Sequence, residues 1–184
     1  MFGSRLKVKT FLLLFVFACF ILPASILSTG FTKVNNQKTN FQKISAIVVA
    51  ECKNYKYVPA EVILAMISKE SGFNPKAQYI SKSGTRYLGA MQLNDKTSKK
   101  LFSKFYPKEK FDIKKLFNPE VNIKLGIWHF NNVLAKYKNN VEMALTAYNK
   151  GDGGYKKYVA SRGTYISSYS RSIMILSRGY KLVK

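Results

Sequence analysis

Residues 60–72 read Ala-Glu-Val-Ile-Leu-Ala-Met-Ile-Ser-Lys-Glu-Ser-Gly. They place a carboxylate on the face of a predicted helix that should be buried. Its apolar residues recur at helical spacing and predict one buried stripe, Ile63, Met66 and Ile67. Glu70 continues that stripe, and Gly72 predicts the end of the helix. Burial and the negative end of the helix dipole both favour the protonated carboxyl, so we expect a raised pKa for Glu70. Such an acid suits general acid catalysis, although a carboxylate paired with a lysine would give the same pattern.

The composition is that of one strongly basic globular domain. The chain has 184 residues, of which 47% are hydrophobic. Lys and Arg number 31 against 9 Asp and Glu, a net charge of +22 that attracts polyanions. The basic residues are scattered and no motif that reads nucleic acid is present. The absence of such a motif argues against nucleic acid, and the charge then favours an anionic wall or membrane surface as a partner.

The N-terminus has the layout of a secretory signal. Basic residues precede an apolar run that continues to Leu22, followed by Pro23 and small residues up to Gly30. The apolar segment approaches the shortest length that spans a bilayer, roughly 17 residues. We expect residues 1–30 to be a signal peptide or an N-terminal membrane anchor, with residues 10–27 as the inner-membrane segment. The protein is then exported, to the periplasm or the cell envelope.

The rest of the chain is predicted to be a polar linker over residues 31–40 and one domain over residues 41–184, which we expect to be a monomer. Beyond residue 30, Cys52 is the only cysteine and His129 the only histidine. This composition argues against an internal disulfide and against a metal site built from His or Cys, so we expect neither metal nor cofactor. His129 falls between two apolar stripes, and we expect it at a packing edge without a catalytic role.

Hydrophobic periodicity predicts a mainly α fold of six or seven helices. The predicted helices cover residues 41–56, residues 60–72, a segment from an Asp95 cap to about 105, a central segment from Asn118-Pro119-Glu120 to about 138, a short segment from an Asn140 cap to a break at residues 151–154, and residues 165–181. Between Phe73 and Gln92 the periodicity fails, which predicts a long functional loop with at most a minimal hairpin.

Three short motifs occur in order along the chain. They are Glu70-Ser71-Gly72-Phe73-Asn74-Pro75, Gly89-Ala90-Met91-Gln92-Leu93 and Ala147-Tyr148-Asn149-Lys150-Gly151. Together with Phe117-Asn118-Pro119, Asn122, Ile123 and Gly126, they resemble the catalytic domain of the bacterial soluble lytic transglycosylases, a lysozyme-like family related to goose-type lysozyme. The resemblance covers about residues 44–175 and implies a lysozyme-like helical domain with a long substrate loop.

The activity that this resemblance implies is cleavage of the β-1,4 bond between N-acetylmuramic acid and N-acetylglucosamine in peptidoglycan, with formation of 1,6-anhydromuramic ends. Glu70 would be the single acid and base, helped by the acetamido group of the substrate. Two alternatives stay open: a hydrolytic muramidase, and a non-catalytic module for wall binding or assembly. The sequence does not choose between wall turnover and the assembly of a secretion, conjugation or flagellar apparatus as the setting.

The same resemblance assigns residues to the substrate site. Met91 and Gln92 would line the sugar site, Gly89 would let the backbone approach closely, Tyr148 would direct its hydroxyl toward the Glu70 carboxyl, and Asn149 would face the substrate. Ser81 is the candidate for the loop serine that contacts the acetamido group, with Ser83 as its rival because the loop is longer than the usual pattern. Tyr169 and Ser71 are accessory candidates, and core packing or helix-end hydrogen bonding would explain them equally well.

Overall fold

The structure, a computed structural model, describes residues 24–180, with side chains from residue 35 onward. Most of the predicted signal or anchor, residues 1–30 with its membrane segment at 10–27, therefore lies outside the described residues. Within residues 24–180, none of the helices has both the length and the apolar character that a membrane crossing requires.

The described residues form six α-helices and one small sheet, so the mainly α prediction is confirmed. The helices are α1 (Ala24–Cys52), α2 (Ala60–Ser71), α3 (Asp95–Phe105), α4 (Pro119–Lys136), α5 (Val141–Arg162) and α6 (Ser168–Ser177), and the strands are β1 (Gln78–Ile80), β2 (Arg86–Leu88) and β3 (Leu93–Asn94). Two short 3-10 helices lie at Ile113–Phe117 and Arg178–Tyr180.

Helix α1 extends through the predicted linker. Residues 31–40 are helical, and the first helix ends at Cys52 instead of residue 56. The buried side chains of Ile44 and Val48 fix the C-terminal half of α1 in the core. Adding residues to an existing helix is easier than starting one, so the helix continues into a polar stretch whose side chains at residues 35–39 are exposed.

The core lies where α4 crosses the other helices. As predicted, α4 is the central helix: it packs against α1, α3 and α5, while α2 packs against α1 and α6. One apolar stripe of α4 is fully buried, and so is the predicted stripe of α2: Ile123, Ile127, Phe130 and Leu134 on α4, and Ile63, Met66 and Ile67 on α2. The end of α2 is thereby held between α1 and α6.

The loop between α2 and α3 forms an antiparallel sheet in the order β1-β2-β3. The predicted hairpin is present, with Tyr79 opposite Tyr87, and β3 adds a third strand that pairs Leu93 with Leu88. Helix α3 then begins after Asn94, whose side chain accepts a hydrogen bond from the Thr97 amide. This corrects the predicted Asp95 cap.

The other helix ends follow from local chemistry. The predicted caps Asn118 and Asn140 both accept hydrogen bonds from amides in the first turns of α4 and α5. Helix α5 kinks at Gly151, whose φ of 70° and ψ of 164° are not helical. The break predicted there is present, but helical structure resumes and continues to Arg162, which the sequence analysis missed. The last helix starts at Ser168, later than the predicted residue 165.

Candidate active site

Glu70 lies in the last turn of α2, at the end of the buried stripe. Ile67, one turn earlier, is fully buried, and Glu70 itself is half-buried. Gly72 closes the helix in the left-handed conformation, with a φ of 58°, and its amide donates to the Ser68 carbonyl over 3.0 Å. The sequence prediction of where this helix ends and where its carboxylate lies agrees with the structure.

Burial raises the pKa of the Glu70 carboxyl above its ordinary value. A hydrogen bond from Tyr169 and the charge of Lys69 act in the opposite direction, but burial is the largest effect. The three ion pairs of the described residues are Arg86–Asp95, Lys115–Glu109 and Lys136–Asp152. Glu70 belongs to none of them, so the alternative of a lysine ion pair is not what the structure contains.

The tyrosine that contacts Glu70 is Tyr169. Its hydroxyl donates a hydrogen bond of 2.6 Å to Glu70 Oε1. Tyr148, which was expected in this role, donates instead to the Met91 carbonyl over 3.3 Å. Tyr148 still lies within the electrostatic reach of the carboxylate, because the charge of Glu70, after burial, raises the pKa of the Tyr148 hydroxyl. The prediction therefore named both tyrosines but assigned the carboxyl contact to the wrong one.

A buried hydroxyl network fixes the start of α6 and with it Tyr169. The Thr146 hydroxyl on α5 donates to the Tyr165 carbonyl over 2.7 Å and lies 3.1 Å from Ser167 Oγ. Ser167 and Ser170 form a reciprocal capping box at the first turn of α6. Sequence reasoning missed this network, whose only signal was a threonine among the apolar residues of the α5 face.

Met91 does not line the sugar site with its side chain. The side chain is fully buried, and a Cβ added at Gly126 of α4 would lie 2.3 Å from Met91 Sδ. Gly126 thus makes room for the Met91 side chain. The Met91 carbonyl accepts the hydrogen bond from the Tyr148 hydroxyl. The sequence prediction for this residue is corrected: Met91 is a packing residue that carries a backbone acceptor.

Gly89 is needed for packing between its loop and α4, and its expected role beside the sugar stays a prediction. Its φ is 76°, and a Cβ at this position would lie 2.2 Å from the Leu116 carbonyl oxygen and 2.3 Å from Asn122 Nδ2. Asn122, fully buried on α4, accepts from the Met91 amide over 2.8 Å and donates to the carbonyls of Leu88 and Leu116. Asn122 therefore ties the loop between α2 and α3 to the central helix. Sequence analysis noted this residue in the resemblance but gave it no role.

Gln92 stands beside this junction in an unusual backbone conformation. Its φ is 46°, which is uncommon for a residue other than glycine. The side-chain amide donates to the carbonyls of Gly89 and Ala77, over 2.9 and 3.2 Å, and these bonds hold the half-buried side chain in place. Strained backbone of this kind is often concentrated at ligand sites. The role of Gln92 in the sugar site stays a prediction.

Among the described side chains, none of the remaining predicted residues forms a hydrogen bond with the Glu70 carboxyl, which accepts from Tyr169. Ser81 and Ser83 share a hydrogen bond of 2.9 Å in the turn between β1 and β2, so the structure does not separate these rivals. Asn149 is exposed on α5, next to Tyr148. The Ser71 hydroxyl donates to the Ile67 carbonyl of its own helix. His129 is half-buried with its ring centroid 5.5 Å from that of Tyr148, at the packing edge expected for it.

The amino-acid sequence is similar to a known protein family and to two individual proteins. Residues 47–169 match the family model described as the transglycosylase SLT domain. Protein IpgF of Shigella flexneri and Protein IpgF of Shigella sonnei are each 31% identical over 100 residues, which is 54% of this chain and 62% of each relative. The chain thus matches less than two thirds of the length of these relatives.

Solved structures share the fold. The lytic transglycosylase Slt of Pseudomonas aeruginosa, determined as an inactive mutant, has a TM-score of 0.61 and 25% identity over 73% of this chain and 23% of its own. The 70 kDa soluble lytic transglycosylase Slt70 of Escherichia coli has a TM-score of 0.51 and 26% identity over 71% of this chain and 22% of its own. With a lysozyme-like helical fold and a family model that covers most of its length, this chain belongs to the transglycosylase SLT domain family.

Proposed function

We propose that this protein is a peptidoglycan lytic transglycosylase. It would cleave the β-1,4 bond between N-acetylmuramic acid and N-acetylglucosamine and leave a 1,6-anhydromuramic end. The observation that carries the proposal is the half-buried Glu70, whose pKa is raised by burial and whose carboxyl accepts the hydrogen bond from Tyr169. Its family membership and the resemblance of the whole domain to solved lytic transglycosylases support the same reaction.

Glu70 would act first as an acid and then as a base. Its proton passes to the glycosidic oxygen as the bond to the muramic C1 breaks, which releases the N-acetylglucosamine hydroxyl. The acetamido group of the substrate stabilises the positive charge at C1. The muramic C6 hydroxyl then closes on C1, and its proton returns to the Glu70 carboxylate. The enzyme ends in the protonation state in which it began, and no water is consumed.

The surroundings of Glu70 favour a mechanism that uses one carboxylate over a mechanism that uses two. Glycosidases that use two carboxylates hold them roughly 5–9.5 Å apart. Here the groups that act on the Glu70 carboxyl are a phenol, Tyr169, and the ammonium of Lys69, and its charge in turn affects a second phenol, Tyr148. A phenol that donates to Glu70 Oε1 stabilises the carboxylate that forms when the proton leaves.

The decisive experiment is mass spectrometry of purified peptidoglycan digested with the mature protein, beside the Glu70→Gln variant and the Glu61→Gln variant as control. Glu61 lies in the first turn of the same helix. We expect anhydro ends from the wild type and from Glu61→Gln, and none from Glu70→Gln. Reducing ends would instead indicate a muramidase. Binding to peptidoglycan without any product would identify a non-catalytic wall module.

The net charge of +22 supports a place in the cell envelope, at the anionic wall or membrane surface. Salt screens such attraction, so binding of the protein to isolated cell walls should weaken as ionic strength rises. Binding that does not change between low and high salt would show that the basic surface is not what holds the protein there.

A further inference from the structure

A basic cavity lies away from the residues around Glu70, where α1 meets the start of α4. Its volume is about 410 Å³, within the range of small-ligand sites. The residues that line it come from α1, from the connection between α2 and β1, and from the 3-10 helix with the start of α4: Asn40, Lys43, Ile44, Pro75, Lys76, Lys114, Phe117, Asn118 and Pro119.

Three lysines converge on this cavity from distant parts of the chain. Lys43, Lys76 and Lys114 are all exposed, and none of the described residues that line the cavity is acidic. A cavity of about 660 Å³ beside α3 differs in this respect, since its lysines share the wall with Asp95 and Asp112. Like charges that converge without a counter-charge repel one another, and a bound anion would relieve this repulsion.

The cavity also offers neutral donors and an apolar wall. The Asn118 side-chain oxygen accepts from the amides of Glu120 and Val121, which leaves its NH2 group as the donor end. Pro75, Phe117 and Pro119 are half-buried and supply apolar surface. The Lys76 ammonium lies 5.6 Å from the centroid of the Phe117 ring. Cations and amides pair with a carboxylate, and the apolar wall suits small aliphatic side chains beside it.

A further cavity adjoins this site and extends to the end of α2. It has a volume of about 780 Å³ and shares Asn40, Pro75 and Lys76 with the basic cavity. Its wall reaches Ser71, the residue that follows Glu70. A chain attached to a substrate near the end of α2 would therefore lie along a wall that the two cavities share and meet Lys76 there.

We propose that the basic cavity, defined by Lys43, Lys76 and Lys114, binds the carboxylate of a short peptide. If the proposed function is right, that peptide is the acidic stem carried by the muramic residues of peptidoglycan. A peptide with small aliphatic side chains uses both the ammonium groups and the apolar wall, whereas a phosphate polymer would use only the ammonium groups.

The test measures binding of a synthetic stem tetrapeptide to the full mature protein by isothermal titration calorimetry. Two triple variants remove the same charge: K43Q/K76Q/K114Q in the basic cavity, and K96Q/K99Q/K110Q in the cavity beside α3. We expect the first variant to weaken binding by about tenfold or more and the second to bind as the wild type does, since each exposed pair contributes modestly. Amidation of the peptide carboxylates should weaken binding to the wild type to a similar degree.

Equal losses in the two triple variants, or no effect of amidation, would overturn the proposal. Pyrophosphate that displaces the peptide at equal concentration would overturn it in favour of a phosphate polymer. Activity on glycan strands stripped of peptide should be unchanged by K43Q/K76Q/K114Q, while activity on intact peptidoglycan falls. A wild type that binds the peptide yet cleaves no glycan would reject the proposed function and leave the peptide site standing.

Discussion

The hydroxyl of Tyr169 lies 2.6 Å from Oε1 of Glu70, although the two residues are 99 positions apart in the chain. This bond joins the end of α2 to the first turn of α6. It acts against the burial of the carboxyl, since a donated hydrogen bond favours the ionised form while burial favours the protonated form. The pKa of Glu70 is thus set by an opposition between two named causes, and each can be removed separately.

Removal of the Tyr169 hydroxyl should raise the pKa of Glu70 further. In Tyr169→Phe the carboxyl keeps its burial but loses the donor that lowers its pKa. If Glu70 must begin protonated, activity declines as pH rises through its pKa, and this decline should move to higher pH in the variant. Tyr148→Phe is the matched control, because its hydroxyl donates to the Met91 carbonyl. Equal shifts of the pH profile in both variants would contradict the assignment of Tyr169 as the donor to Glu70.

Replacement of Glu70 by glutamine should stabilise the fold in a pH-dependent way. Because the folded pKa is raised, the folded chain holds this proton at pH values where the unfolded chain has released it. The ionised carboxyl therefore disfavours folding at neutral pH, and this effect vanishes below the pKa of the unfolded state. The urea midpoint of Glu70→Gln, relative to the wild type, should be higher at pH 7 than at pH 3.5. A pH-independent difference would contradict the raised pKa.

The Thr146 hydroxyl should position Tyr169 from a distance. Thr146→Val keeps the shape of the side chain but removes the hydrogen bond to the Tyr165 carbonyl, which should lower the free energy of unfolding by about 1–3 kcal/mol. The pH profile of activity should also shift in the direction expected for Tyr169→Phe, while Thr146→Ser restores both properties. Lost stability with an unchanged pH profile would mean that the network holds α6 without orienting Tyr169.

Gly126 should be intolerant of even one added methyl group. An alanine Cβ would lie 2.3 Å from Met91 Sδ in a fully buried setting, so Gly126→Ala should cost about 1–3 kcal/mol in free energy of unfolding. Gly153→Ala is the control on α5, where a Cβ meets nothing within 4 Å. Thermal or urea unfolding checks both. Tolerance of alanine at Gly126 would show that Met91 can move aside, and the backbone acceptor for Tyr148 would then not be fixed by this contact.

The sequence was sufficient for the helix that carries Glu70 and for most helix ends. An apolar stripe with a carboxylate at its end and a glycine behind it is a local pattern, and local patterns survive in any fold that buries the stripe. The caps Asn118 and Asn140 were predicted for the same reason, since a cap acts on the amides of its own helix. The helical conformation of residues 31–40 was not predicted, because helix continuation from a buried segment depends on what that segment packs against.

What the sequence by itself determined about this protein is therefore the mainly α class, the place of Glu70 at the end of a buried stripe and the order of the motifs around it. Only the tertiary structure decided that Tyr169 rather than Tyr148 donates to the carboxyl, that Met91 packs against Gly126, and that Asn122 ties the loop between α2 and α3 to α4. The physical reason is the separation along the chain of the residues that interact. A helix is specified by neighbours three and four residues apart, whereas a hydrogen bond across 99 positions depends on how separate helices pack.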